Sequence, residues 1–125
     1  MRRLVLDPGA VLAWFEGDGR GREVRAEYES GALRVIGPRH LLADVLDRLA
    51  REDDWSADDL ARIGSELERL GFELSDPPGA RIAAWLARGL DARRAAYAAL
   101  AEHLEVHLVT DDESLRRHAG PLILA

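Results

Sequence analysis

The sequence predicts a three-layer α/β/α fold built on a mostly parallel sheet of about five strands. Several short segments, beginning with Leu4–Leu6, are apolar along their whole length, as strands buried on both faces are. The stretches between these segments carry apolar residues at helical spacing. With 125 residues, 47% of them hydrophobic, the chain suits one hydrophobic core. We therefore expect a single domain over residues 1–125.

In the first half of the chain, turn residues mark where strands give way to helices. Asp7-Pro8-Gly9 closes the first strand, and Gly37-Pro38 closes a second strand over residues 33–36. Pro38 also suits the first turn of a helix, whose apolar face includes Leu41 and Val45. The predicted helices are Ala10–Glu16, Arg22–Ser30 and the one that follows Pro38.

In the second half, helix-capping residues set the boundaries. Ser56 and Asp91 are each followed by a helical apolar pattern and are suited to the N-cap position. Further helices are expected around Trp85 and up to His118. The remaining predicted strands are Phe72–Leu74, Val106–Val109 and Leu122–Leu124.

Charge and composition narrow the classes of function. Lys and Arg total 17 against 23 Asp and Glu, a formal net charge of −6, so any contact with nucleic acid must be local. The absence of cysteine excludes disulfides and thiolate metal sites. The apolar run behind Met1-Arg2-Arg3 is too short for a signal peptide, and no stretch is long enough to span a bilayer. We expect a cytoplasmic protein that does not contact a membrane.

Acidic residues follow two of the predicted strands directly. Asp7 comes after the first strand, and the segment Thr110–Glu113 comes after Val109. Because ligands of parallel sheets collect beyond the carboxyl ends of the strands, both should lie at one edge. A third acid, Asp44, lies in the helix that follows Pro38.

These acids, with the segments around them, resemble the PIN-domain family of metal-dependent ribonucleases, and most of all the small VapC-type toxins. The resemblance runs nearly end to end. It implies an endoribonuclease that cleaves RNA, acts as the toxin of a toxin-antitoxin pair, binds a small antitoxin protein and forms a homodimer. The matching segments are Leu4–Ala10, Pro38–Leu46, Ala95–Glu102 and Leu108–Leu115.

The resemblance assigns catalytic and metal-binding roles to three aspartates. The first acid of the family falls on Asp7, the second, usually Glu, on Asp44, and the fourth on Asp112. A ring of acids suits Mg²⁺ or Mn²⁺, since such ions take oxygen ligands, and the ion would activate the attacking water. Asp91 or Asp111 are further possible ligands, and Thr110 is expected to contact the substrate or compensate charge.

The third acid of the family is replaced by Arg94. At an effective dielectric constant of 20, two unit charges roughly 4 Å apart interact by about 4 kcal/mol, and a divalent ion roughly doubles this repulsion. Three interpretations are open. Arg94 pairs with Asp7, Asp44 or Asp112 and replaces the charge of the metal, or it binds RNA phosphate, or Asp91 supplies the missing carboxylate.

Each acid also has a purely structural interpretation. Asp7 suits the turn before Pro8, Asp44 lies outside the apolar face of its helix, and Asp112 suits the first turn of the next helix. Asp91 likewise suits an N-cap. The alternative function is therefore a catalytically degenerate PIN domain that binds RNA or protein, and Arg94 decides between the two.

Overall fold

The computed structural model describes residues 1–17, 19–52 and 54–124. Within this part of the chain a parallel four-stranded sheet, in the order β3-β2-β1-β4, is flanked by seven helices. The predicted α/β class is confirmed. The strands are β1 (Arg2–Leu6), β2 (Leu33–Gly37), β3 (Glu73–Leu74) and β4 (His107–Val109).

The helices begin at side-chain caps where the sequence offers them. Ser56 and Asp91 accept hydrogen bonds from the backbone N–H groups of Asp59 and Arg94, as predicted for N-caps. The helices are α1 (Pro8–Glu16), α2 (Gly19–Glu29), α3 (Leu41–Glu52), α4 (Ala57–Arg69), α5 (Gly79–Ala87), α6 (Ala92–Leu104) and α7 (Glu113–His118).

The sheet has four strands in the described residues, not the five that were predicted. Gly120–Leu122 forms a 3₁₀ turn, which includes the first residue of the predicted strand Leu122–Leu124. The remaining contact with the sheet is a single parallel bridge between Ile123 and Leu108, with Leu124 N–H donating to Leu108 O at 2.9 Å. Pro121 lies in the first turn of this 3₁₀ helix, and the Leu122 N–H donates to Ala119 O at 2.9 Å instead of to a neighbouring strand.

β1, β4 and α6 contribute much of the core, which also includes buried side chains of β2, α1 and α3. Successive side chains of a strand point to opposite faces of the sheet, and both faces are covered at β1. Leu4, Val5 and Leu6 are therefore all buried. Every residue from Ala95 to Ala101 is buried, and the many alanines let α6 pack closely on β1 and β4. No helix among the described residues combines the length and apolar character that a membrane span needs.

The strand order creates one switch point. From β1 the chain continues to β2 on one side, and it returns to pair β4 with β1 on the other. The carboxyl ends of β1 and β4 meet there, and Asp7 N–H donates to Val109 O at 3.3 Å. Such a crevice is where ligands of open α/β sheets bind.

Candidate active site

A cleft of about 560 Å³ opens at the switch point between β1 and β4. Parts of α1, α3, α6 and the segment before α7 line it, so four separate regions of sequence meet there. Acids outnumber bases along its wall. The charged residues that line it are Asp7, Glu16, Asp44, Glu52, Asp111 and Asp112, with Arg48, Arg93 and Arg94.

Asp7 lies at the centre of this arrangement and is 4% exposed. It is the N-cap of α1, where its Oδ1 accepts from Ala10 N–H at 2.9 Å. Burial, with the nearby charge of Asp112, raises the pKa of Asp7 to about 6, although the Thr110 hydrogen bond opposes the shift. A carboxylate at this position lacks much of the solvation it would have in water.

Thr110 joins Asp7 to Asp112. Its hydroxyl donates to Asp7 Oδ2 and accepts from Asp112 N–H, the latter at 2.9 Å. Thr110 is itself buried. This residue therefore fixes the position of the Asp7 carboxyl and the path of the chain that leads to Asp112, which is a positioning role.

Asp44 is held by α6 from across the cleft. Arg93 Nη1 donates to its Oδ1 at 2.5 Å, and the Tyr97 hydroxyl donates to its Oδ2 at 3.0 Å. His40 Nε2 lies 3.4 Å from the same Oδ2. Burial next to Asp44 raises the pKa of Tyr97 far above its ordinary value, so the phenol keeps its proton and remains a donor.

Arg94 closes the other end of the cleft. Its Nε donates to both oxygens of Asp112, at 3.1 and 2.9 Å, and its Nη1 donates to Asp91 Oδ2. The structure thus places Arg94 in the pairing arrangement, with Asp112 as the partner. Asp91 also caps α6, accepting from Arg94 N–H at 2.9 Å.

These contacts shift the protonation equilibria in a consistent direction. Burial disfavours the charged form of Asp112, but hydrogen bonds from Arg94 and from Leu115 N–H hold its pKa below the ordinary value. The backbone N–H of Arg94 and its guanidinium do the same for Asp91. The two carboxylates in turn raise the pKa of Arg94. Both aspartates are therefore ionised, and they share the single positive charge of this arginine.

Two arginines at the cleft were not predicted. Arg93 binds Asp44, and the Nη1 of Arg48 lies 2.8 Å from the point where a side chain on Gly9 would place its Cβ. Arg48 also lies near enough to Asp7 to lower its pKa in part. The sequence contained one usable signal, the spacing of four residues between Asp44 and Arg48 on a helix.

The carboxylates of the cleft are not arranged to hold a divalent ion. Across residues 1–17, 19–52 and 54–124, no group of three or more acidic or histidine side chains is placed to hold a metal. Asp44 and Asp112 accept from guanidinium groups, and Asp7 accepts from Thr110 and Ala10. Asp111 is exposed at the rim. The catalytic and metal-binding roles assigned to these aspartates remain predictions.

Comparison with known proteins places the chain in a family. A family model described as PIN domain matches residues 4–121. No curated protein matches the sequence. Six chains of solved structures match. Among them is the crystal structure of PAE2754 from Pyrobaculum aerophilum, with a TM-score of 0.72 and 21% sequence identity over 98% of this chain and 88% of that chain. The chain belongs to the PIN-domain family, whose members are generally nucleases that bind nucleic acid.

Proposed function

We propose that this protein is a VapC-like PIN domain that binds RNA at the cleft and hydrolyses it slowly or not at all. The observation that carries this proposal is the hydrogen bonding of the Arg94 guanidinium to both oxygens of Asp112. Because the guanidinium matches the negative charge of Asp112, this carboxylate attracts a metal ion or an activated water less strongly than an unpaired carboxylate would. The family's phosphodiester hydrolysis depends on such a group, so we expect it to be impaired.

RNA binding is supported by the exposure of the arginines at the cleft. Arg93 has 67% of its side chain exposed, and Asp44 engages one nitrogen of its guanidinium. Arg93 also lines the cleft, so the other nitrogens of its exposed guanidinium can donate to a phosphate oxygen bound there. This contact is local, as a chain of net charge −6 requires.

The proposal predicts that the protein binds RNA but cleaves it slowly or not at all. Arg93→Ala should weaken binding of a single-stranded RNA by about tenfold, since one charge-assisted phosphate contact is lost. Arg62→Ala is the control, because Arg62 pairs with Asp59 on the exposed face of α4 and lies outside the cleft lining. Fluorescence anisotropy measures the affinities. Equal affinities for the two variants would overturn the assignment of Arg93.

Hydrolysis is tested with the same RNA in the presence of Mn²⁺. The wild-type protein should leave the RNA largely intact. Rapid cleavage that is lost in EDTA and in Asp7→Ala would instead establish the fully active metal-dependent endoribonuclease, with Mg²⁺ or Mn²⁺ as its cofactor, and would refute the impaired site.

A second function is favoured by the excess of acids in the cleft. Arg48, Arg93 and Arg94 make ion pairs with Glu52, Asp44 and Asp112, which leaves the exposed Glu16 and Asp111 to attract a cation. A basic segment of a small partner protein, as in a toxin-antitoxin pair, matches this charge. We place such a complex, and a homodimer of the chain, in the cytoplasm. A basic peptide that displaces bound RNA would support it.

A further inference from the structure

We infer that Arg93 and Arg94 are internal counter-cations that replace a metal ion, and that changing Arg94 to an acid converts the cleft into a divalent-ion site. This inference rests on the impaired site proposed above. The inference concerns the affinity of the cleft for a divalent ion, whereas the proposed function concerns its affinity for RNA. The two are measured separately.

The pair of arginines joins three elements. Arg93 and Arg94 are consecutive residues in the first turn of α6, and they reach in different directions. Arg93 binds Asp44 on α3, while Arg94 binds Asp112, the N-cap of α7. Each guanidinium therefore neutralises a carboxylate from another part of the chain, as an ion shared by the same carboxylates would do.

The charge at position 94 decides whether the cleft holds an internal guanidinium or a divalent ion. The side chain of Asp112 is 25% exposed and that of Asp44 is 7% exposed, so neither carboxylate is left to solvent alone. A cation in the first turn of a helix is also opposed by the helix dipole, so Arg94 depends on Asp91 and Asp112 for compensation. An aspartate in its place would suit the dipole but would crowd three acids together.

Those three acids would require a cation. Arg94→Asp adds a carboxylate next to Asp91 and Asp112, across Thr110 from Asp7, and it removes the one guanidinium that hydrogen-bonds to Asp91 and Asp112. Oxygen ligands of this kind suit Mn²⁺ and Mg²⁺. The variant should be less stable than the wild type without metal, and bound metal should restore the loss.

The test is a titration with MnCl₂ that uses no RNA. In EDTA, Arg94→Asp should melt below the wild type. Added Mn²⁺ should raise the melting temperature of the variant and leave that of the wild type and of Arg62→Ala unchanged. Calorimetry should show Mn²⁺ binding to the variant tighter than to the wild type by on the order of a hundredfold, a figure that allows for solvent screening of a side chain that is 43% exposed.

Arg94→Ala keeps the test decisive if the aspartate variant does not fold. It removes the cation without adding an acid, and it should bind Mn²⁺ with an affinity between those of wild type and Arg94→Asp. A wild type that binds Mn²⁺ as tightly as either variant would overturn the inference. So would a folded Arg94→Asp protein that shows no heat of binding and no thermal shift. Either result would leave the RNA affinities measured for Arg93→Ala standing.

Discussion

At the scale of single residues, Asp7 makes stability depend on pH in an unusual direction. Its pKa rises from 3.8 to about 6 on folding, chiefly through burial. A raised pKa means that the folded state favours the protonated form. The contribution to stability is therefore complete below pH 3.8 and is lost as the pH rises through about 6.

Asp7→Asn should consequently gain stability relative to the wild type as the pH rises from 4 to 7.5. The gain follows from the rise in the pKa of Asp7 from 3.8 to about 6 and amounts to about 2.5 kcal/mol, because in the unfolded chain this carboxyl is already partly ionised at pH 4. Urea unfolding in EDTA at both pH values measures it, and the change between the two pH values is the quantity of interest. If the difference in stability between Asp7→Asn and the wild type is the same at pH 4 and pH 7.5, the pKa of Asp7 does not rise on folding.

Asp112→Asn provides a comparison of opposite sign. Hydrogen bonds from Arg94 and Leu115 N–H hold the pKa of Asp112 below its ordinary value despite burial. Its stabilising effect is present at neutral pH and is lost as the pH falls. This variant should therefore be less stable than the wild type at both pH 7.5 and pH 4, and the deficit should shrink only as the pH falls below 3.8.

The residues of the site show what sequence reasoning can reach. Asp7 and Asp112 were expected at one edge because each follows a strand, Asp44 was added by the resemblance to the PIN-domain family, and all three line one cleft. Arg94 stood out because an arginine is foreign to a ring of acids. Arg93 did not, since a helical pattern cannot show which of two neighbouring long side chains reaches across to another element.

At the scale of elements, the contact between α1 and α2 depends on Gly21. A Cβ at this position would lie 2.3 Å from Ala13 O and 2.8 Å from Trp14 N, both backbone atoms. Backbone cannot move aside as a flexible side chain can, so the two helices would have to separate. Because α1 begins at its cap Asp7, the cleft would shift with them.

Gly21→Ala should therefore destabilise the protein by about 3 kcal/mol. Gly19→Ala is the matched control, since it lies at the start of the same helix and a Cβ there would meet nothing within 4 Å. The control should be neutral or stabilising by about 0.5 kcal/mol. Urea unfolding of both variants measures the effect. Equal stabilities would mean that α1 and α2 do not pack closely in solution.

Elements differed in how well the sequence predicted them. The caps at Ser56 and Asp91 were predicted correctly, because a cap is made by side chains a few residues from the helix it begins. The strand predicted at Leu122–Leu124 was wrong. An apolar run is a local pattern, whereas strand pairing depends on a neighbouring strand that is distant in sequence. The 3₁₀ turn over Gly120–Leu122 takes the first residue of the predicted strand and leaves a single bridge.

At the scale of the whole molecule, net charge limits how RNA can bind. With a formal charge of −6, most of the surface repels a polyanion, and attraction is confined to exposed arginines that line the cleft, such as Arg93. A protein that contacts few phosphates releases few counterions on binding. The affinity for RNA should therefore depend only weakly on salt.

For a single strand, contacts with one or two phosphates predict a slope of log affinity against log salt between about −0.7 and −1.4. Anisotropy titrations across a series of salt concentrations measure it. Arg93→Ala should flatten the slope by about 0.7, because one phosphate contact is lost, whereas Arg62→Ala should leave it unchanged. A slope steeper than about −3 would require an extended basic face and would contradict binding at the cleft. Since low salt also strengthens repulsion from the acidic surface, the measured slope should fall nearer the shallow end of this range.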